Sequence, residues 1–151
     1  MIVVSACLAG LPVRYNGLSS LEGKIHKLVS EKKAITACPE LLGGLETPRE
    51  PAEIIGGNGE DVLDGKAKVI DCKGTDVTDA FVKGAYETLD VIRKIQASVV
   101  VLKENSPSCG SGKIYNGSFT GEKVEGHGVT AALLIRNGVR VISEKQFLKE
   151  Y

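Results

Sequence analysis

Short apolar runs alternate with amphipathic segments along this chain. Residues 2–6 form a β-branched apolar run closed by Cys7-Leu8-Ala9-Gly10, which predicts a buried strand and then a loop. Leu21, Ile25, Leu28 and Val29 recur at helical spacing and predict a short helix. Residues 34–37 read as a second strand, stopped by Cys38-Pro39. From 39 to 59 the chain is rich in proline and glycine, with Gly43-Gly44, Pro48, Pro51 and Gly56-Gly57, and predicts a long loop. Loops of that length in a compact domain are usually functional. Val62-Leu63 and Lys68-Val69-Ile70-Asp71 flank Gly65 and suggest a hairpin.

The clearest helix comes next. Thr75, Asp76 or Thr78 can cap it, since a side-chain oxygen there accepts from an exposed backbone N–H. Phe81, Val82, Ala85, Tyr86, Leu89, Ile92 and Ile95 mark its apolar face. Residues 98–102 carry three consecutive valines and fit the centre of a parallel sheet. Lys113-Ile114-Tyr115 and Ser118-Phe119 flank Asn116-Gly117 as the arms of a tight turn. Residues 129–135 read as a helix entered through Gly126-His127-Gly128 and ended by Asn137-Gly138, with Arg136 suited to the negative pole of its dipole. A last strand at 139–142 and a terminal helix at 144–151 follow. Alternating strands and helices predict one α/β domain over 1–151, a three-layer α/β/α sandwich with a mainly parallel, Rossmann-like sheet.

Composition narrows the class. The 151 residues are 42% apolar and 25% charged, a balance that supports a globular core without disulfide staples. Basic and acidic residues are equal at 19 each, which argues against a nucleic-acid polymer or a membrane surface as partner and leaves room for a small-molecule substrate. The opening six residues lack the basic region of a signal peptide, and no run approaches the 18 or so apolar residues of a membrane span. The expected location is the cytoplasm, where thiols stay reduced.

Four cysteines in such a compartment read as ligands, catalysts or core fillers before they read as disulfides. Cys7 follows the first predicted strand, Cys38 the second, and Cys109 the valine-rich one. In a parallel sheet all three fall on the carboxyl-end rim, where open α/β folds bind ligands. Thiolates suit zinc or iron–sulfur clusters, and three protein ligands leave a fourth position open. Free cysteine also fills cores, and that is the expectation for Cys72, which follows an outer strand. No C-x-x-C pair is present, which disfavours a zinc ribbon or a thioredoxin-like couple.

Ser5-Ala6-Cys7-Leu8-Ala9-Gly10 and Val13-Arg14-Tyr15-Asn16-Gly17 resemble the opening of a bacterial and archaeal family whose characterised members are thiouracil desulfidases. The resemblance continues through Cys38-Pro39-Glu40, Gly43-Gly44-Leu45 and Pro48-Arg49. It resumes at Ser106-Pro107-Ser108-Cys109-Gly110, Ile114-Tyr115-Asn116-Gly117 and Gly126-His127-Gly128-Val129-Thr130-Ala131-Ala132-Leu133-Leu134. It implies a 4Fe–4S cluster on Cys7, Cys38 and Cys109, with a fourth iron that has no protein ligand and accepts sulfur from a thiolated pyrimidine base. The implied reaction is non-redox desulfuration, in which water replaces sulfur at the ring carbon.

Such a reaction needs a proton acceptor, and Glu40 and His127 are the two candidates. His127, between glycines at a helix entrance, can alternatively bind an anion there, while His26 reads as a surface residue. Ser106 and Ser108 can donate hydrogen bonds to cluster sulfur or to substrate, or simply form a turn around Pro107. Arg14, Tyr15 and Arg49 are candidates for substrate contact or for locking loops, with Glu46, Glu50 or Glu53 as ion-pair partners of Arg49 in an exposed pair of small value. Gly43, Gly44, Gly110 and Gly128 are expected to shape the pocket through backbone freedom or close approach. Two further readings stay open: a non-catalytic iron–sulfur or zinc protein acting as sulfur carrier or sensor, and a zinc hydrolase with zinc-bound water beside Glu40.

Overall fold

The computed structural model describes residues 1–9 and 23–150. In chain order come β1 (Ile2–Ser5), a 3-10 turn (Ala6–Ala9), α1 (Gly23–Ser30), β2 (Ala34–Ala37), α2 (Pro39–Leu42), β3 (Ala52–Ile55), α3 (Gly59–Leu63) and β4 (Lys68–Asp71). The long helix α4 (Thr78–Ile95) leads to β5 (Val99–Leu102), β6 (Lys113–Tyr115), β7 (Lys123–Glu125), α5 (Val129–Arg136), β8 (Val141–Ser143) and α6 (Glu144–Glu150).

Four strands form a parallel sheet in the order β2-β1-β5-β8. All four residues of β5 are buried, as are Val3 and Val4 of β1, so both faces of the sheet need cover. The period of two divides them. Val3, Val100 and Leu102 join Phe81, Leu89 and Ile92 of α4 and Val129 and Leu133 of α5. Val4, Val99 and Val101 join Ile25 of α1, Ile142 of β8 and Phe147 of α6. Each fully buried valine contributes about 1.5–3 kcal/mol, so the two-sided valine strands anchor the three-layer arrangement. The expected α/β/α architecture is the observed one.

The loop expected over 39–59 contains structure of its own. Pro39 opens α2, and residues 52–55 form β3, which pairs antiparallel with β4. Val62 and Leu63 are therefore not a hairpin arm. They lie in α3, which opens with a reciprocal capping box between Asn58 and Asp61. β6 pairs with β7 rather than with 118–119, so Asn116-Gly117 begins a longer connection. The expected face of α4 holds except at Tyr86, which is 56% exposed. Its N-cap is Val77, with no side-chain cap. Asp76 Oδ1 instead accepts from the Thr78 N–H, and Thr78 Oγ1 accepts from the Val69 N–H, tying the helix start to β4.

Two close contacts fix the rim of the sheet. A Cβ at Gly43 would lie 2.0 Å from Ala80 O, and one at Gly84 would lie 1.9 Å from Pro39 O. Glycine on both sides lets α2 lie directly on α4, which seats Cys38, Pro39 and Glu40. On the other side, the first N–H groups of α5 donate to the loop that carries Cys109. Gly128 N reaches Gly110 O at 2.8 Å, Val129 N reaches Pro107 O at 2.7 Å and Thr130 N reaches Ser108 O at 2.9 Å.

Candidate functional site

Beyond the carboxyl ends of β1, β2 and β5 lies a pocket of about 500 Å³. Cys7, Cys38 and Cys109 all line it, together with Glu40, Arg49 and Ser106. Cys7 comes from the 3-10 turn after β1 and Cys38 from the N-cap of α2 after β2. Cys109 comes from the loop after β5, whose backbone is gripped twice. The Ser106 hydroxyl oxygen accepts from the N–H of Ser108 and of Cys109, each at 3.0 Å, while α5 holds the carbonyls.

Burial pushes the Cys109 thiol well above its ordinary pKa, and the charges of Glu40, Cys38 and Cys7 push it the same way; the Ser108 hydroxyl opposes them. Cys38 is raised too, first by burial. The Leu41 amide pulls it down, Glu40 adds to the rise, and Arg49 and the Glu40 amide oppose it. The mutual influence of these groups places three thiols and one carboxylate in a single electrostatic environment. None of the described cysteines is in a disulfide.

Arg49 pairs with Glu40. Its Nε donates to Glu40 Oε2 at 2.9 Å and its Nη2 to the same oxygen at 2.5 Å, with the side chains only 10% and 16% exposed. Nη1 reaches Glu46 O and Thr47 Oγ1. The expected exposed pair with Glu46, Glu50 or Glu53 is thus replaced by a sheltered one inside the pocket, because Arg49 folds back over α2. Glu40 Oε1 makes no hydrogen bond to a described residue, and no buried side-chain N or O lacks a partner, so this oxygen is open to the pocket.

Other expected site residues fall elsewhere. His127 lies in a separate cleft with Asn58, Lys113, Lys123 and Lys145, its Nδ1 3.0 Å from Glu60 Oε1. The α5 amides beside it are committed to carbonyls of the Cys109 loop, so they are not available to an anion. Ser108 is fully buried and does not line the pocket; its Oγ lies 2.8 Å from Thr130 Oγ1. Gly43 and Gly44 do not line it either: Gly43 serves the α2–α4 contact and Gly44 takes a φ of 94° just after it. Gly128 packs on Ser108, and Gly110 on Lys113 and Ser106. Cys72 is exposed rather than buried in a core, and its thiol donates to Glu50 Oε2 at 3.2 Å. His26 is exposed on α1, as expected. Arg14, Tyr15 and Leu21 lie outside the described residues.

Two carboxylates organise the far wall: Glu104, which sequence reasoning missed, and Glu53, which it considered only as an exposed partner of Arg49. Burial pushes the Glu104 carboxyl up, but the N–H groups of Gly112, Lys113, Asn105 and Ser111 outweigh it and hold the group below its ordinary pKa. Glu104 thereby ties down the connection from Asn105 to Lys113. Glu53, on β3, accepts from the Gly117 and Phe119 N–H groups and holds the connection between β6 and β7, which brings Phe119 into the pocket lining. Acidic residues next to glycine-rich stretches were the available signal in both cases.

Residues 2–146 match the 2-thiouracil desulfurase family. This chain belongs to that family. A curated relative, the uncharacterized protein YbbK of Bacillus subtilis (strain 168), is 62% identical over 146 residues, covering 97% of each chain. Among solved structures, the [4Fe-4S]-dependent thiouracil desulfidase TudS superposes with a TM-score of 0.85 at 45% identity, over 98% of this chain and 93% of that one. Every pocket residue named above lies within the span that matches the family.

The donor set can be tested against an iron–sulfur group. Three thiols and no histidine line the pocket, which is soft-ligand chemistry. Among the described residues, no three His, Cys, Asp or Glu side chains converge closely enough for one metal ion. Three thiols on one pocket fit a cluster whose irons each take one thiolate.

Proposed function

We propose that this chain removes sulfur from a thiolated pyrimidine-type base such as thiouracil, using a [4Fe–4S] cluster held by Cys7, Cys38 and Cys109. The observation that carries this reading is the convergence of three thiols and the open oxygen of Glu40 on one pocket, in a chain of this family. When bound, the cluster supplies a soft Lewis-acidic iron, free of protein ligands, to the sulfur of a thiocarbonyl.

The chain's own groups do the rest. Arg49 holds Glu40 Oε2, which aims Oε1 into the pocket as acceptor for a proton of the incoming water. Ser106 fixes the Cys109 backbone through its oxygen and keeps its O–H for donation to the substrate. Leu45, Pro51 and Phe81 give the pocket a largely apolar lining that limits stray water. The balance is C=S plus water to C=O plus sulfide, with no change of oxidation state. Reduced thiols at the centre of the reaction suit the cytoplasm.

The test is anaerobic reconstitution followed by assay of thiouracil conversion to uracil. Turnover that depends on iron loading supports the reading. A loaded protein that leaves thiouracil untouched would reduce it to a non-catalytic iron–sulfur protein.

A further inference from the structure

Glu53 is 8% exposed, lines the pocket, and uses only one of its oxygens. Oε1 accepts from the Gly117 N–H at 2.9 Å and the Phe119 N–H at 3.3 Å. Oε2 makes no hydrogen bond to a described residue, yet no buried side-chain N or O is left without a partner. The second oxygen is therefore exposed to the pocket space, on a side chain otherwise buried. A carboxylate so placed is an acceptor awaiting a donor, and leaving it unmatched when water is expelled is costly.

The same carboxylate positions an aromatic wall. Phe119 has a φ of 57°, unusual for a residue with a side chain, and is 39% exposed although it lines the pocket. Strain of this kind persists only where the surroundings enforce it. Here the Glu53 hydrogen bonds enforce it, with Gly117 packed tightly on β3: a Cβ at Gly117 would come within 2.7 Å of Ile54 O. An acceptor and a partly open ring on one wall fit a flat heterocycle that carries a ring N–H.

We propose that Glu53 is a substrate-reading residue, its Oε2 accepting a ring N–H of the thiolactam heterocycle while Phe119 covers the ring face. This rests on the desulfidase reading and deepens it, because it makes an N–H donor on the ring a requirement of the substrate. Heterocycles whose ring nitrogens are all alkylated are poor ligands, whatever their sulfur.

Uracil, the sulfur-free product, is a non-reacting probe. Its affinity for anaerobically reconstituted protein is compared by calorimetry with that of 1,3-dimethyluracil, which has no N–H. Wild type prefers uracil by about tenfold or more. In Glu53→Gln the Gly117 and Phe119 amides draw the new carbonyl oxygen to themselves. The side-chain NH₂ then faces the pocket, presenting a donor to a donor, and the preference falls to within about threefold. Iron content and melting temperature report whether that variant is intact. Where it is not, Glu53→Asp, which keeps both oxygens but withdraws them by one methylene, shows the same fall. An unchanged preference in an intact variant, or equal binding of both ligands by a wild type that desulfurates thiouracil, overturns the Glu53 assignment alone. A wild type that neither binds uracil nor acts on thiouracil overturns the desulfidase reading with it.

Discussion

The cysteine pocket and the His127 cleft lie on opposite sides of Glu104, which lines both. In the pocket, Cys7 and Cys109 are buried and Cys38 partly so, Cys38 and Cys109 are pushed up in pKa, and the Arg49–Glu40 pair is sheltered. In the cleft, His127 and Glu60 are each about one-third exposed, and the surrounding lysines and glutamates face water. Both sites hold residues of catalytic type, and both sit beside glycine-rich loops. What separates them is enclosure: burial pushes two thiols of the pocket up, whereas the His127–Glu60 pair of the cleft stays in contact with solvent.

That contrast breaks if substitutions on the two sides have similar consequences. The largest effect is expected at Glu40→Gln, where turnover of thiouracil drops by about 10²- to 10⁴-fold while iron content stays at the wild-type level. Arg49→Lys keeps the charge but not the two-pronged hold on Oε2, and turnover falls by about tenfold with the cluster retained. Glu104→Gln, on the shared wall, lowers stability by about 2 kcal/mol in chemical denaturation, since one oxygen serving four N–H groups loses its charge. At the small end, His127→Ala changes turnover by less than about twofold.

Glu104 also gives a signature in pH. Its carboxyl is held below the ordinary value in the fold, so its stabilising effect is complete above the ordinary carboxylate pKa. That effect is lost as pH falls through the depressed folded value. The melting-temperature gap between wild type and Glu104→Gln should therefore be widest near neutrality and close as the solution is acidified through the depressed folded value. A gap that widens in acid would mean that the backbone amides do not hold Glu104 as a carboxylate.

The sheet and the thiol rim were legible because their signals are local. Residues 2–5, 34–37 and 99–102 are apolar runs with abrupt ends, and each end carries or precedes a cysteine. β3 was not legible. Ala52-Glu53-Ile54-Ile55 sits in a stretch punctuated by Pro48, Pro51 and Gly56-Gly57, and its pairing with β4 is a long-range choice that no short window shows. Missing β3 meant misreading Glu53 as an exposed partner of Arg49, since a glutamate in a loop reads as solvated while one on an inward-facing strand position does not. His127 and Ser108 misled for the opposite reason. Their residue types suggested chemistry, but α5 packs directly on the Cys109 loop, burying Ser108 and turning His127 into the other cleft.

The most direct test is the iron and acid-labile sulfide content of protein reconstituted without oxygen, measured beside Cys7→Ala, Cys38→Ala, Cys109→Ala and Cys72→Ala. The expected result is about four irons and four sulfides per chain in the wild type, retained in Cys72→Ala and lost in each of the other three. Iron that survives the loss of Cys7, Cys38 or Cys109, or that disappears with Cys72, would contradict the three-thiol site.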